Sequence, residues 1–347
     1  MKRVVWSFPV LLILLACLAF GDENPFFRIT ARDVELKVPK GFPKPLYRFT
    51  ENKLSPDVFV LGRKLFYDAL LSKDNTVSCA SCHQRFAAFA HIDHRLSHGI
   101  YAKIGKRNVP ALQNLIWKDG LMWDGGVNNL EVQPINPITS PIEMDESLAG
   151  VVAKLSASDA YRRLFKQAYG DTVINSQRLL RALAQFTGLM ISAGSRYDQF
   201  LAGKDTFSRA EKRGLSLFRQ RCAGCHKEPL FTDNSYSHNG LQTDTSLNDP
   251  GRAGLTGFDK DSYYFKVPGL RNVQMTYPYM HDGRFRKLED VMEHYGSGAG
   301  FAKGADPRLA AIGVLTAQDK KDLVAFLLTL TDKGFLYDRR FADPGLQ

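Results

Sequence analysis

The chain has 347 residues, of which 44% are hydrophobic and 24% are charged, and its formal net charge is +10. This composition is typical of a globular protein with one large or two modest cores, and it excludes a disordered or low-complexity chain. The basic residues form no Lys/Arg run and no nucleic-acid-binding motif is found, so we expect no nucleic-acid partner.

Residues 1–21 are predicted to be a secretory signal peptide. A short basic start is followed by an apolar run from Val4 to Phe20, and polar sequence begins at Asp22. The run is too short, and ends too abruptly, for a membrane span. We therefore expect an exported, periplasmic protein. Two processing sites fit: cleavage after Gly21, or a lipobox that ends at Cys17 and would leave a lipid anchor on that residue.

Residues 22–54 are rich in proline and lack periodicity, which predicts an extended arm. Ser55 and Pro56 then form a helix start, with an N-cap and a proline in the first turn. Ser208 and Glu211 form a capping box before another helix. Residues 232–265 are rich in Gly, Asn and Asp and are interpreted as a long functional loop. Further helices are predicted, from apolar periodicity, over residues 146–170, 176–194, 288–295 and 316–330.

Four of the five cysteines lie in two CxxCH motifs. In such a motif the two thiols attach a haem covalently and the histidine supplies the proximal ligand of its iron. A zinc ribbon would place its two CxxC pairs about 15–20 residues apart, and these pairs are much further apart. The fifth cysteine is Cys17, so no pair is left for a structural disulfide. The motifs are Cys79-Ala80-Ser81-Cys82-His83 and Cys222-Ala223-Gly224-Cys225-His226.

The segments that lead into the two motifs resemble each other. Residues 62–66 and 214–218 both begin with Gly and end with Leu-Phe. This weak internal repeat indicates two related modules. The predicted fold is mainly α, with two cytochrome-c-like haem domains and long loops. The N-terminal haem domain is expected over residues 55–200 and the C-terminal one over residues 201–335.

Further short motifs lie between and after the haem motifs, over about residues 55–330. They are Arg107-Asn108-x-Pro110, Met122-Trp123-Asp124-Gly125, Gln133-Pro134, Pro141-Ile142-Glu143-Met144, Leu270-Arg271-Asn272-Val273, Thr276-Tyr277-Pro278-Tyr279-Met280-His281-Asp282-Gly283 and Leu288-Glu289-Asp290-Val291. In sequence and order they resemble the bacterial di-haem cytochrome c peroxidases and the related MauG enzymes. The resemblance implies an oxidoreductase in which hydrogen peroxide reacts at one haem and the other haem relays electrons.

The resemblance implies a role for several side chains. His83 would be the proximal ligand of the peroxide-reacting haem, and His226 that of the relay haem. Trp123 falls on the position of a tryptophan that lies between the haems, where an aromatic ring shortens the electron-transfer gap. Glu143 falls on a distal carboxylate that moves a proton between the peroxide oxygens, and Gln133 falls on a distal amide.

A calcium ion between the haems is also implied by the resemblance. The family binds it with an asparagine side chain and two backbone carbonyl groups. Asn108, Thr276 and Pro278 fall on those positions, and their oxygen atoms are the hard ligands that calcium accepts. Because carbonyl ligands leave little trace in residue type, the sequence alone would not indicate this site.

The distal ligand of the second haem distinguishes two branches of the family. Ordinary peroxidases have a methionine there and MauG-like proteins have a tyrosine, and this chain has Tyr295. A thioether raises the potential of haem iron, whereas an anionic phenolate favours its higher oxidation states. Tyr295 also lies at helical spacing from Leu288 and Met292, so a core position is the alternative. Met280 is then the rival ligand, ahead of His281 and His294.

The sequence does not decide whether a residue binds the distal side of the first haem. His98 lies near the place of a histidine that leaves the iron on activation in many peroxidases, and His91 and His94 are alternatives. MauG-like enzymes keep this iron open, in which case a loop histidine has no such role.

Two classes of function fit the sequence. The first is a peroxide-dependent enzyme. It would either oxidise a partner protein, which Tyr295 favours, or take electrons from a small cytochrome or cupredoxin to reduce peroxide to water. The second is a non-catalytic electron carrier, which would not need Glu143, Gln133 or Trp123. The resemblance is compatible with a monomer and with a homodimer.

Overall fold

The computed structural model describes residues 28–298 and 302–346. The predicted signal peptide and Cys17 lie outside these ranges. Within them, no helix combines the length and the apolar character needed to cross a membrane.

Helices dominate the described part of the chain, as predicted, and the two strands found there have two residues each. The strands pair antiparallel, with Tyr236 opposite Lys266. The elements are α1 (Pro56–Tyr67), α2 (Cys79–Cys82), α3 (Ile135–Thr139), α4 (Leu148–Ala157), α5 (Asp159–Tyr169), α6 (Ser176–Gly188), α7 (Arg196–Leu201), α8 (Arg209–Arg221), β1 (Tyr236–Ser237), α9 (Ala253–Thr256), β2 (Phe265–Lys266), α10 (Leu288–Gly296), α11 (Ala317–Leu328) and α12 (Lys333–Leu336).

The predicted helix starts and ends agree with the structure in part. Ser208 and Glu211 form the predicted capping box of α8, with bonds of 2.7 and 3.2 Å. Ser55 precedes α1 as predicted, but its side chain makes no capping hydrogen bond. The helix predicted over residues 146–170 is two helices, because the Ser158 hydroxyl accepts the Tyr161 N–H and starts α5 anew. The helix predicted to reach residue 194 ends at Gly188.

The protein has two hydrophobic cores, one mainly in each half of the chain. The first is built on α1, α4, α5 and α6, and the second on α8, α10 and α11. Three residues of the C-terminal segment, Phe335, Leu336 and Phe341, belong to the first core rather than the second. Phe49 of the predicted arm is also buried there. The arm has no helix or strand over its described residues, yet it packs on the first core.

Each core contains one very close helix crossing at a glycine. A β-carbon on Gly62 of α1 would stand 2.0 Å from the Ala182 carbonyl oxygen of α6. A β-carbon on Gly214 of α8 would stand 1.9 Å from the Asp322 carbonyl oxygen of α11. Any larger residue would force these helices apart.

The phenylalanines one turn after these glycines also occupy equivalent places. Phe66 lies against Phe186 of α6, and Phe218 lies against Phe326 of α11, with ring centroids 5.1 Å apart in both pairs. The internal repeat predicted from the sequence is thus a repeated helix crossing, which leads directly into the second CxxCH motif and is separated from the first by a loop.

A buried ion pair between Arg271 and Asp198 lies beside Phe42 of the arm. The Arg271 guanidinium donates to both oxygens of Asp198, at 2.8 and 2.9 Å. It lies between the rings of Phe42 and Phe231, 4.8 and 5.6 Å from their centroids. Arg271 is only 1% exposed, so the pair and the two rings together hold the arm against the C-terminal half.

Candidate active site

The first CxxCH motif is placed by a single helical turn. Ser78 and Ser81 form a capping box around α2, which carries both cysteines, and His83 follows at its C-cap. The Nδ1 atom of His83 lies 2.7 Å from the Phe89 carbonyl oxygen. Burial lowers the pKa of His83 to about 4, so its ring is neutral. A neutral imidazole that donates from Nδ1 keeps the lone pair of Nε2 for a metal.

The second motif presents its histidine in the same way, although its cysteines follow the end of α8 and do not lie in a helix of their own. The Nδ1 atom of His226 lies 3.1 Å from the carbonyl oxygens of both Phe231 and Pro268, and burial lowers the pKa of this imidazole. Burial also raises the pKa of Cys79 and of Cys222 to about 12. No disulfide involves the four cysteines of the motifs.

A cavity of about 310 Å³ extends from the second motif to the tryptophan turn. Glu143, Gln133 and His83 lie outside its lining. The predicted site residues that line it are Cys222, Cys225, His226, Tyr295, Met280, Trp123, Asn108, Thr276 and Pro278.

The side chains around this cavity fit a haem. Besides the thiols and the imidazole, two lysines line it. Burial lowers the pKa of Lys118 to about 8 and that of Lys266 well below its usual range. The Lys266 ammonium donates to the Gly120 carbonyl oxygen at 2.6 Å, and neither lysine forms a salt bridge with a carboxylate in the described ranges. Because buried cations need anionic partners, this pair suits the propionates of a haem.

Trp123 is held from three sides. Its indole Nε1 donates to the Asn108 carbonyl oxygen at 2.8 Å, and its own carbonyl accepts the Lys266 backbone N–H at 2.7 Å. The next residue, Asp124, accepts a 2.5 Å bond from Arg107, whose guanidinium also pairs with Asp249 at 2.7 Å. The tryptophan turn is therefore tied to the Arg-Asn motif and to the long loop.

Glu143 lies beside the first motif. A β-carbon on Gly99 would stand 2.5 Å from the Glu143 Cα, so the two backbones touch. The Cys82 thiol donates to the His98 carbonyl at 3.3 Å, and the carboxyl of Glu143 is close enough to raise the pKa of that thiol. Burial raises the pKa of Glu143 itself. No ion pair of this carboxyl is found among the described residues.

Gln133 lies next to the tryptophan turn. Its Nε2 is 3.7 Å from the Sδ atom of Met122, the residue before Trp123. The structure thus places Glu143 beside the first haem motif and Gln133 beside the tryptophan turn.

Three histidines cluster on the loop after the first motif. The ring centroids of His94 and His98 are 4.2 Å apart, and those of His91 and His94 are 5.3 Å apart. The Nδ1 atom of His98 lies 3.0 Å from the Leu96 carbonyl oxygen. Within the described ranges, no group of three or more His, Cys, Asp or Glu side chains is arranged to hold a metal ion.

The candidate distal ligands of the second haem are held differently. His281 stacks on Phe265 with ring centroids 3.7 Å apart, and the Nε2 atom of His294 is 2.9 Å from the Asn239 carbonyl oxygen. Tyr295 and Met280 both face the cavity. The Tyr295 hydroxyl is buried near the cysteines of the second motif, and this burial raises its pKa to about 12.

The predicted calcium ligands lie around the same cavity. The side-chain nitrogen of Asn108 donates to the Arg95 carbonyl oxygen at 3.0 Å, which leaves its amide oxygen for a cation. Thr276 and Pro278 line the cavity beside it. The calcium site stays a prediction.

Residues 56–206 match the family of di-haem cytochrome c peroxidases. The methylamine utilization protein MauG of Methylorubrum extorquens is 33% identical over 312 residues, which are 87% of this chain and 85% of that protein. The chain belongs to the di-haem cytochrome c peroxidase/MauG family. It is therefore an oxidoreductase, and its two CxxCH motifs correspond to the two c-type haems of the family.

Relatives from the MauG branch and from the conventional peroxidase branch are about equally similar to this chain. Cytochrome c551 peroxidase of Nitrosomonas europaea is 33% identical over 281 residues, 79% of this chain and 80% of that protein. A crystal structure of a MauG-like protein associated with microbial copper homeostasis superposes with a TM-score of 0.83 at 32% identity, over 89% of this chain and 99% of the other. Overall similarity therefore does not choose between the branches.

Three residues of the site were not found by sequence reasoning. Lys118 and Lys266 carry no signal in the sequence, because their burial depends on tertiary structure, which for Lys266 includes its place in β2 and its backbone bond to Trp123. Asn239 lies in the loop over residues 232–265 that was predicted to be functional, but nothing in its own sequence context indicates a role.

Proposed function

We propose that the chain is an exported di-haem enzyme in which hydrogen peroxide reacts at the haem of His83. Glu143 acts there as the acid/base. Trp123 couples this haem to the one held by His226, which Tyr295 ligates. The oxidising equivalents obtained from peroxide are then used to oxidise a partner protein, as the resemblance to MauG implies.

The observation that supports this assignment most directly is the position of Tyr295. Its hydroxyl is buried beside Cys222 and Cys225, in the cavity that His226 also lines. A phenolate ligand favours oxidised iron, which suits a haem that holds oxidising equivalents rather than one that only donates electrons.

Haem supplies the iron at which peroxide is reduced, and the chain's own residues control the proton. Hydrogen peroxide must lose a proton from one oxygen and gain one on the other before its O–O bond breaks. Glu143 is half-buried against the first motif, and no cation pairs with it in the described ranges. It is therefore free to accept the proton and return it. The Nδ1–H bonds of His83 and His226 to backbone carbonyls keep both imidazoles oriented.

A second candidate is a conventional peroxidase that reduces peroxide with electrons from a small cytochrome or cupredoxin. Met280 favours it, because this thioether also faces the cavity. A plain electron carrier is the least favoured, since a carrier needs no buried carboxyl at Glu143. Calcium at Asn108, Thr276 and Pro278, export with or without a lipid on Cys17, and a homodimer remain further parts of the proposal.

Electron paramagnetic resonance of the ferric protein tests the proposal. We expect one high-spin and one low-spin haem if the His83 iron is open, and two low-spin signals if His98 or a neighbour binds it. Replacement of Tyr295 by Phe should change the low-spin signal of the second haem. A low-spin signal that is the same in Tyr295→Phe would remove Tyr295 as ligand and favour the conventional peroxidase.

A further inference from the structure

We propose that Arg252 shields Tyr236 from oxidation, so that the oxidising equivalents obtained from peroxide reach the partner protein and are not lost to a tyrosine of the chain itself. This inference rests on the proposed function, because it takes Trp123 as a residue through which these equivalents pass. Both side chains lie beside the tryptophan turn, and neither has a role in haem attachment or in proton transfer to peroxide.

Tyr236 packs directly on the tryptophan turn. A β-carbon on Gly120, or on Gly125 two residues after Trp123, would overlap the Tyr236 hydroxyl oxygen. The hydroxyl therefore fills the space that these two glycines leave. Tyr236 also lies opposite Lys266 in the pairing of β1 with β2, and the Lys266 backbone N–H donates to the Trp123 carbonyl oxygen at 2.7 Å. The phenol is thus held against the turn both by its own contacts and by the strand beside it.

This position makes Tyr236 a competitor of the partner protein for the oxidising equivalents. The side chain is half-buried, so it reaches from the turn toward the surface. An unshielded phenol here would give one electron to the peroxide-oxidised haem pair by way of Trp123 and release its phenolic proton to water. Tyr236 would be oxidised to a neutral radical and the haem pair would be reduced by one electron. The partner protein would lose that equivalent.

Arg252 lies over the face of this ring. Its Cζ atom is 3.8 Å from the ring centroid, closer than any other cation to an aromatic ring among the described residues, where the next pair is 4.8 Å apart. The negative face of an aromatic ring attracts a cation, and removal of an electron from the ring weakens that attraction. Positive charge that develops on the ring is also repelled by the guanidinium. Both effects make the loss of an electron from Tyr236 less favourable.

The tryptophan turn itself holds this guanidinium in place. The Nη1 atom of Arg252 donates to the carbonyl oxygen of Asp124, the residue after Trp123, at 2.8 Å. The Arg252 backbone N–H donates to the Tyr264 carbonyl oxygen at 2.9 Å. The same turn therefore binds both the phenol and the cation that covers it.

The phenolic proton of Tyr236 has no carboxylate to receive it. Oxidation of a tyrosine near neutral pH requires the proton to leave with the electron. Tyr47 and Tyr161 of the first core donate to carboxylates at 2.7 and 2.6 Å, but no such bond from Tyr236 is found in the described part of the chain. The guanidinium above the ring has donors and no acceptor. The surroundings of Tyr236 therefore oppose the loss of both the electron and the proton.

The test is the decay of the peroxide-oxidised holoprotein in the absence of a partner protein. In Arg252→Gln the charge over the ring is lost. We expect the decay, followed by stopped-flow absorbance, to become about 2–30-fold faster, which corresponds to the strength of an exposed to desolvated cation–π contact. A tyrosyl radical should appear in electron paramagnetic resonance, and peptide mass spectrometry should find Tyr236 oxidised. The double variant Arg252→Gln/Tyr236→Phe should decay as slowly as wild type.

Two controls separate the charge from the structure. Arg252→Lys retains a positive charge, so its decay should stay close to that of wild type. Arg178→Gln removes a cation 5.0 Å from the ring centroid of Tyr169 in the first core, and it should leave the decay unchanged. The shielding role is overturned if the double variant decays as fast as Arg252→Gln, because the lost bond to the turn is then the cause. It is also overturned if wild type itself forms the radical on Tyr236.

A second measurement distinguishes this inference from the proposed function, because it does not use peroxide. Ruthenium(III) tris-bipyridine, generated by light with persulfate as the electron acceptor, oxidises tyrosines of the holoprotein directly. We expect a higher yield of oxidised Tyr236 in Arg252→Gln than in wild type. If this is found but peroxide produces no oxidised state in wild type, the shielding stands and the proposed function fails. Equal yields at Tyr236 overturn the shielding and leave the proposed function intact.

Discussion

The indole Nε1 of Trp123 donates a 2.8 Å hydrogen bond to the carbonyl oxygen of Asn108. The same asparagine carries the side chain predicted to bind calcium, so the tryptophan and the cation site share one residue. The orientation of the indole ring therefore depends on the Arg-Asn motif as much as on the tryptophan turn itself.

Trp123→Phe tests the coupling between the haems. Phenylalanine keeps an aromatic ring but loses the bond to Asn108 and is harder to oxidise. We expect slower exchange of electrons between the haems, measured by rapid mixing of partly reduced protein. Trp117→Phe is the control, because Trp117 belongs to the first core and its indole donates to the Pro43 carbonyl oxygen. It should lower stability without changing the exchange. Equal exchange rates in Trp123→Phe and wild type would exclude Trp123 as the bridge.

Glu143→Gln tests the acid/base role. Loss of a general acid/base typically slows a reaction by about 10²–10⁴-fold, and we expect such a loss in the rate of peroxide reaction followed by stopped-flow absorbance. Burial raises the pKa of Glu143, and the carboxylate is the form that accepts the first proton. The wild-type rate should therefore rise as the pH rises through this raised pKa, and the variant should not show that rise.

The control for Glu143 is its neighbour Glu146. This carboxyl pairs with Lys154 at 2.8 Å, and that hydrogen bond lowers its pKa. Glu146→Gln should leave the peroxide reaction nearly unchanged. A variant at Glu143 that reacts as fast as the one at Glu146 would contradict the proposed role.

Lys266→Met tests the anion-binding side of the cavity. A buried cation near a haem stabilises the less positive, reduced state, so its removal should lower the midpoint potential of the haem nearest to it. Redox titration followed by absorbance measures this directly. Lys103→Met is the control, because the exposed Lys103 bonds to the Pro141 carbonyl on the surface. Unchanged potentials in Lys266→Met would show that no haem propionate lies near this lysine.

Asp198→Asn tests the ion pair that holds the arm. The variant leaves the Arg271 charge buried without its partner, and breaking one partner of a buried pair costs about 3–5 kcal/mol. The free energy of unfolding, measured with denaturant at neutral pH, should fall accordingly. The control is Asp171→Asn, because Asp171 is exposed where it pairs with Arg178, and we expect little change there.

The same pair predicts a pH dependence of stability. Burial works to raise the pKa of Asp198, but the hydrogen bonds and charge of Arg271 outweigh it, and the pKa is lowered from its usual 3.8. The ion pair therefore contributes fully to stability at pH values above the pKa that Asp198 has in the unfolded chain. This contribution is lost as the pH falls through the lower pKa that Asp198 has in the folded protein. The difference between wild type and Asp198→Asn should shrink over that acidic range. A difference that stays constant there would assign the stability to another group.

The structural features that could be predicted are those formed by residues close together in the sequence. The CxxCH motifs and the Ser208–Glu211 capping box involve neighbouring residues, so their structure follows from residue type and spacing. The repeat of Gly62 and Gly214 was also visible, because each glycine is followed by a Leu-Phe pair that ends, four residues later, in phenylalanine. The break at Ser158 was missed, since a serine inside a helical pattern either caps a new helix or stays in the old one.

Contacts across long separations could not be predicted. Asn239 contacts Met280 and His294 only because the long loop folds back against α10, and no periodicity in the sequence indicates such a contact. The burial of Lys118 and Lys266 has the same origin. The family resemblance supplied the roles of Glu143 and Tyr295, but it did not indicate which neighbours hold these side chains.

The placement of Phe335, Leu336 and Phe341 in the first core has a consequence for how the protein is made. The N-terminal half is synthesised first, but its core lacks these side chains until the final segment of the chain has emerged. A fragment that stops before residue 335 would lack them as well. The half that carries the first haem motif is thus the first to be translated and the last to be completed.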